Sequence, residues 1–326
     1  MDNLTHSLTG LALARTGLNR ACPHATALLI LSANAPDADA VSMLRSQLAY
    51  LEIHRGYAHS LLCLPFVAVL PMAIVLAIWR HKLPWIRAWL LCCLGVASHL
   101  LIDWTNSYGI RLLLPFSSRW LHLDWTGLYD GFILAALLFA AGWPVFARLV
   151  SSEIGDRAPH GRGSALFALA FFLLFDAGRG ILHNRAVAQL ETRLYDGEAP
   201  LQAAALPEPF NPLAWTAVVE TTPAYRVGEM NALGQWNVEL ARTFFKPYNR
   251  PSFEAVRPVE PFRYFLYFAR FPIWSEAPTT IGNQPGLRVE VTDLRFGIPG
   301  SGGFHCVALE NARGEVLRGW FTLRSD

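Results

Sequence analysis

Residues 60–79 are an unbroken run of 20 uncharged, mostly apolar residues. A helix rises about 1.5 Å per residue, so a run of this length can cross the roughly 30 Å hydrocarbon core of a bilayer. Four more uncharged runs lie at 131–147, 88–102, 163–175 and 21–36, the last preceded by the apolar stretch 8–14. Charged residues make up 16% of the chain and apolar residues 53%. A soluble domain carries about 25% charged residues. The reading is an α-helical polytopic membrane domain. Pro65 and Pro71 are expected to kink the longest run. The shorter runs fit as spans if their polar ends are buried in protein rather than in lipid.

The polar residues divide the chain further. Eight of the ten histidines precede residue 183, and 13 of the 21 prolines fall between 200 and 299. Residues 1–182 are therefore taken as the multi-span membrane domain, 183–205 as a helical linker and 206–326 as a small β-rich C-terminal domain outside the membrane. In the last, 214–221, 264–269, 287–291, 304–309 and 316–323 read as strands, with Pro and Gly clusters between them. A net charge of +2 points away from nucleic acid as a partner. Five cysteines are too few for a disulfide framework, and Cys63, Cys92 and Cys93 sit in apolar runs as core residues.

Positive charge sets the expected orientation. If residues 5–15 and 24–34 form a helical hairpin, one side of the membrane receives Arg15, Arg20, Arg80, Lys82, Arg87, Arg148, Arg157 and Arg162. The other receives Arg45, Arg55, Arg111 and Arg119. The richer side is expected to be cytoplasmic. The loops 36–59 and 103–130 and the C-terminal domain then share the outer side, while His24, His81 and His160 lie opposite.

The chemistry-bearing residues collect on that outer side. Asp37 and Asp39 follow an apolar helix that Pro36 stops. His54 and His59 are five apart, about 140° on a helical wheel, so they cannot share one helical face. His99 and Asp103 are an i, i+4 pair at the end of an apolar helix. The hairpin returns His6 to the same edge. Unpaired carboxylates at a bilayer edge are costly and repel one another, and a divalent cation removes that repulsion. Mixed imidazole and carboxylate ligands suit zinc first, with manganese or iron as alternatives. Seven candidates, His6, Asp37, Asp39, His54, His59, His99 and Asp103, allow one ion with outer carboxylates or two ions.

Each group also has a plainer reading. Asp37 and Asp39 alone would be a solvated helix end, and His54 and His59 would be interfacial polar residues. Asp130, before an apolar run, would be favoured there by the helix dipole. Asp176 and Arg179 read as a structural ion pair. It is the convergence of several groups that favours a metal.

These segments carry a family likeness. The opening Met1-Asp2-Asn3-Leu4-Thr5-His6-Ser7, the stretch Asn34-Ala35-Pro36-Asp37-Ala38-Asp39, His54-Arg55 with His59-Ser60, and Ser98-His99 with Asp103-Trp104-Thr105-Asn106 resemble the bacterial inner-membrane metal-dependent hydrolases, the YdjM-like group also described as LexA-binding membrane hydrolases. Gly109, Pro115-Phe116 and Trp120 are similar as well, and the likeness covers about the first 150 residues. Residues 207–212 with Trp215 resemble the start of the C-terminal domain of longer members. The resemblance implies a metal-holding membrane hydrolase of unstated substrate in the bacterial inner membrane, with the same seven residues at the metal. Asp130 lies outside the matched segments. The spacing of His99 and Asp103 alone is also similar to zinc-dependent phospholipase C and related nucleases.

The expectation is a metal-dependent hydrolase that cleaves an ester or phosphoester of an amphiphilic, lipid-like substrate. Asp39 or Asp130 is expected as general base, and Arg55 to steady developing negative charge. The C-terminal domain is expected to cover the site or bind substrate. Two other classes fit less well. A metal transporter or sensor would place ligands on both sides of the membrane, and an anchor presenting its β domain to a partner would leave the His/Asp set dispensable.

Overall fold

The computed structural model describes residues 1–80, 82–154, 161–247, 250–301 and 303–323. Arg157, His81 and His160, assigned above to membrane sides, lie outside the described residues.

Local sequence accounts for the helical part. Helix α1 (Asn3–Arg15) starts at Asp2, whose side chain accepts from the Thr5 amide as an N-cap. After a tight turn, α2 (Ala25–Ser32) runs back along α1, and Leu28 and Leu29 are wholly buried. Pro36 then opens a 3-10 stretch, Pro36–Leu44. Short helix α3 (Gln47–Ile53) and a 3-10 turn, Tyr57–His59, follow.

The 20-residue run does not form one long helix. It is divided into α4 (Leu64–Val67) and α5 (Val69–Trp79). Pro65 sits in the first turn of α4, where a missing N–H does no harm. Pro71 cannot donate back to Val67, and the break falls between the two helices at Ala68. The expected kinks are thus an interruption.

Helices α6 (Trp85–Thr105), α7 (Gly131–Ile154) and α8 (Arg162–Glu191) absorb the runs at 88–102, 131–147 and 163–175. Among the described residues these three are long and apolar enough to cross a membrane, and a broken helix pair ending at Trp79 is a candidate fourth span. The outer faces of α7 and α8 carry Phe139, Phe146, Phe167 and Leu174 exposed. Helices apolar on both the packed and the outer face are made for lipid. The run at 21–36 supplies only α2, eight residues long and packed in the core against α6.

The chain folds as two units. One comprises Met1–Asp39, Arg55–Asn184 and Pro207–Leu213, and the other Ala40–His54, Arg185–Leu206 and Ala214–Asp326. The second contains two four-stranded antiparallel sheets. The first runs in the order β1 (Gln202–Pro207), β2 (Ala214–Glu220), β3 (Ala224–Asn231), β4 (Arg242–Phe245). Helices α9 (Pro251–Val256) and α10 (Glu260–Phe268) lead to the other sheet. That sheet is β5 (Pro272–Ile281), β6 (Gln284–Asp293), β7 (His305–Asn311) and β8 (Val316–Thr322).

Two local expectations fail here. The segment 264–269, expected as a strand, is the second half of α10. Its buried Phe262, Phe265 and Phe268 recur every third residue, a helical spacing, and Pro261 suits a helix start. The linker expected to be helical over 183–205 is helical only to Glu191, and β1 begins at Gln202.

Candidate metal centre

Small residues bring the site's helices together. A Cβ on Gly10 would meet the Leu29 and Ile30 backbone, so α1 and α2 approach closely. A Cβ on Gly95 would run into Ser32 and approach the Ala33 amide, so α6 lies hard against the end of α2. One turn beyond Gly95, His99 Nδ1 is 2.7 Å from the Ala33 carbonyl oxygen. A carbonyl only accepts, so Nδ1 carries the proton and Nε2 the lone pair.

His59 stands between two carboxylates. Its Nδ1 lies 3.3 Å from Asp39 Oδ2 and its Nε2 3.3 Å from Asp37 Oδ1, so a proton kept on Nδ1 by Asp39 would leave Nε2 free for an ion. The two Nε2 atoms face each other at 3.1 Å. Asp37 Oδ1 is 3.3 Å from His59 Nε2 and 3.6 Å from His99 Nε2. Asp103 Oδ2 is 3.7 Å from the first and 3.4 Å from the second. One ligand atom from each of Asp37, His59, His99 and Asp103 thus lies within 4.8 Å of the other three. With both imidazoles neutral all four present lone pairs to one another, and without an ion a proton on His59 bridges it to Asp37.

That arrangement fits an ion. Ligands held about 2.0–2.2 Å from a tetrahedral cation stand about 3.3–3.6 Å from one another. Five of the six separations run from 3.1 to 3.7 Å, and the sixth, between Asp37 and Asp103, is within 4.8 Å. His59, His99 and Asp103 are completely buried, while the Asp37 and Asp39 side chains keep 10% and 7% exposure and form the open edge. Burial alone would push the Asp37 carboxyl up. The His59 hydrogen bond and the His99 charge outweigh it and hold Asp37 below the usual carboxylate range, so it stays ionised.

The other expected residues are placed around this group. His6, wholly buried, stacks on His99 at 3.9 Å between ring centroids, with Nε2 3.4 Å from Asp103 Oδ1. The Met1 amino group pairs with the same carboxylate oxygen. Asp39 stands behind His59, and its Oδ2 also accepts from the Arg55 amide at 3.2 Å. Arg55 is buried, with φ of +58°. A left-handed conformation is uncommon for a residue with a side chain and marks a constrained position. Its Nη2 lies 3.2 Å from Asp103 Oδ2, its Nη1 donates to Asn106 Oδ1 at 3.0 Å, and its guanidinium lies over the Tyr108 ring. Arg55 therefore holds Asp103 rather than reaching toward an incoming anion. His54 ends α3, in the other unit, where its ring stacks on Tyr50 at 4.5 Å.

Asp130 is not brought to this group. Its Oδ1 accepts from the Phe132 and Ile133 amides at 3.0 and 3.2 Å, as the N-cap of α7. Burial pushes its carboxyl up, and the two amides and Arg179 offset only part of that. Helix dipole and capping account for it. Arg179 donates to the carbonyls of Trp125 and Pro212 at 2.9 and 2.6 Å, a structural role. His122 and Asp124 pair with each other at 3.2 Å in the loop before α7.

Asn106 was not among the expected site residues. Its Oδ1 accepts from Arg55 Nη1 and from the Tyr108 and Gly109 amides, and its Nδ2 donates to Asp103 Oδ1 at 3.2 Å. It lies three residues after Asp103, one helical turn on, and that spacing was the available signal.

The sequence pattern of the YdjM inner membrane protein family matches residues 1–186, which include every residue of this cluster. The chain belongs to that family. Over 148 residues it is 32% identical to YfhP of Bacillus subtilis (strain 168), an uncharacterized protein. The match covers 43% of the present chain and 45% of YfhP, so the chain spans less than half of that relative's length. No solved structure matches it. Membership in the YdjM family agrees with the lipid-facing helices and places the protein in a membrane.

Proposed function

We propose that this YdjM-family protein is a membrane-embedded metal-dependent hydrolase with a single divalent transition ion, zinc in the first instance, held by Asp37, His59, His99 and Asp103. The observation that carries this reading is the set of four acceptor atoms at ligand-to-ligand spacing, with the two imidazole lone pairs facing each other. Such an ion would supply Lewis acidity and an activated water suited to cleaving an ester or phosphoester if it takes a further ligand at the open Asp37 edge.

The chain's own residues divide the remaining work. The Ala33 carbonyl sets the tautomer of His99, and Asp39 would hold the Nδ1 proton of His59, so that each aims its partner's Nε2. Arg55, locked by Asn106 and Tyr108, balances the charge of Asp103. Asp39, at the open edge and not a ligand of the ion, would take up the proton. The cluster sits where apolar α6 ends, which favours an amphiphilic substrate. By the positive-inside bias this edge is on the outer side of the inner membrane.

The test is turnover of p-nitrophenyl ester and phosphoester probes in detergent micelles by metal-loaded protein. Wild type is expected to hydrolyse one probe class. His59→Ala is expected to lose turnover, and Asp39→Asn to lose about 10²–10⁴-fold if it handles the proton. Metal-loaded wild type that turns over neither class would contradict the hydrolase reading while leaving the metal centre in place.

A further inference from the structure

A second feature lies on the neighbouring face of the same helices. An apolar cavity of about 310 Å³ is walled by α1, α6 and α8. Its volume falls at the lower end for small-ligand sites, about 300–1,000 Å³. On α6 the lining runs from Leu94 to Ile102, eight residues or about 12 Å along the axis. On α8 it runs from Leu169 to Asp176. The space is therefore elongated along the spans. Leu13, Leu94 and Leu169 line one end and Asp176 the other, where its carboxylate is within reach of the Thr105 hydroxyl.

Three hydroxyl or carboxyl groups line the cavity, and two are already engaged. Thr9 Oγ1 donates to the Thr5 carbonyl at 2.8 Å and Ser98 Oγ to the Gly95 carbonyl at 2.7 Å. Asp176 Oδ1 is buried and has no hydrogen-bond partner among the described residues. A carboxyl group on the wall of an otherwise apolar cavity is best met by a polar head group. The rim residues Leu101 and Leu173 are exposed and belong to helices able to cross a membrane, so the opening faces hydrocarbon.

We propose that this cavity binds one alkyl chain of a single-chain amphiphile whose head group, a hydroxyl or an ammonium, donates a hydrogen bond to Asp176. The tail lies toward Leu94 and Leu13, and the head lies at the end of α6 that also carries Asp103. A carboxylate head is disfavoured by Asp176 itself. Occupancy does not depend on the metal or on hydrolysis, so failure of this proposal and failure of the hydrolase reading are separable.

The experiment is photo-labelling of the full chain in detergent with long-chain probes that carry a diazirine in the alkyl tail, one an alcohol, one an amine, one a fatty acid. The alcohol or the amine is expected to label residues 94–102 and 169–173, at least tenfold more than the fatty acid. Whichever of the two labels more strongly identifies the head group. Ala97→Phe, which fills the cavity from α6, and Leu173→Trp, which fills it from α8, are each expected to reduce labelling at least tenfold with metal content unchanged. Asp176→Leu is expected to abolish the preference over the fatty acid, and Asp176→Asn, which keeps an acceptor, to retain most of the labelling. Labelling spread evenly over the lipid-facing helices and indifferent to both filling variants would overturn the proposal. So would equal labelling by the fatty acid in the wild type.

Discussion

Two buried carboxylates behave in opposite ways. In the β unit, Asp293 is wholly buried and answered by donors on every side. Its Oδ2 accepts from the Arg270 amide at 3.0 Å and from Arg295 Nε at 2.9 Å, and its Oδ1 accepts from the Arg295 amide at 3.0 Å. Arg295 in turn donates to the Phe268 carbonyl and lies over the Phe268 and Phe296 rings. In the helical unit, Asp103 is equally buried and is met by Arg55, Asn106 and the Met1 amino group, yet its Oδ2 also stands beside His59 and His99 Nε2 and close to the Asp37 carboxylate, so the group as a whole holds more negative than positive charge. Burial of charge is common to both. What separates them is the count of donors against acceptors. A network in balance specifies a fold, whereas one short of positive charge points to an ion.

The largest effect expected from that contrast is in the β unit. Asp293→Ala leaves Arg295 buried without its partner and is expected to lower stability by about 3–5 kcal/mol, read by chemical denaturation followed through tryptophan fluorescence. Metal content per folded chain should not change. A loss under 1 kcal/mol would mean that the pair is not the closed network described.

Asp39→Asn comes next. The amide can still hydrogen-bond His59 but no longer orients it by charge. Metal affinity is expected to fall about 10–100-fold, measured by competition with a chromophoric chelator. Unchanged affinity would remove Asp39 from the account of the centre.

Asp130→Ala tests the boundary of the site. It removes an N-cap and is expected to cost about 1 kcal/mol without altering metal content. A loss of metal in this variant would restore Asp130 to the centre.

The smallest expected signal is at Cys306, in the β unit. Burial pushes its thiol well above the ordinary range, and its Sγ–H donates to the Pro261 carbonyl. In a variant with the other cysteines replaced by serine, maleimide at pH 8 is expected to leave Cys306 untouched in the folded chain and to label it fully in denaturant. Rapid labelling of the folded chain would show that β7 opens readily.

The metal candidates were legible in sequence because each sits beside a structural punctuation mark: Asp37 after Pro36, His59 just before the longest uncharged run, His99 and Asp103 one turn apart where α6 ends. Their division of labour was not. Asp39 and Asp37 differ by two residues, yet one meets Nδ1 of His59 and the other Nε2. Arg55 could be read as an anion binder until Asn106 and Tyr108 were seen to occupy it. Among the spans, the run at 60–79 was the strongest by length and yet is broken, because two prolines outweigh composition. In the β unit, β6, β7 and β8 follow from alternation. By contrast, α10 reads as a strand by composition, because Phe and Tyr favour strands, and only the period of three in Phe262, Phe265 and Phe268 marks it as a helix.

The central claim is that Asp37, His59, His99 and Asp103 hold a cation. Elemental mass spectrometry on detergent-purified wild type beside His99→Ala tests it most directly. The account predicts about one equivalent of a divalent transition metal in the wild type and near none in the variant, with the variant still folded by circular dichroism. Wild-type protein that carries no metal and takes up none on reconstitution would contradict it, as would a folded His99→Ala variant with full metal content.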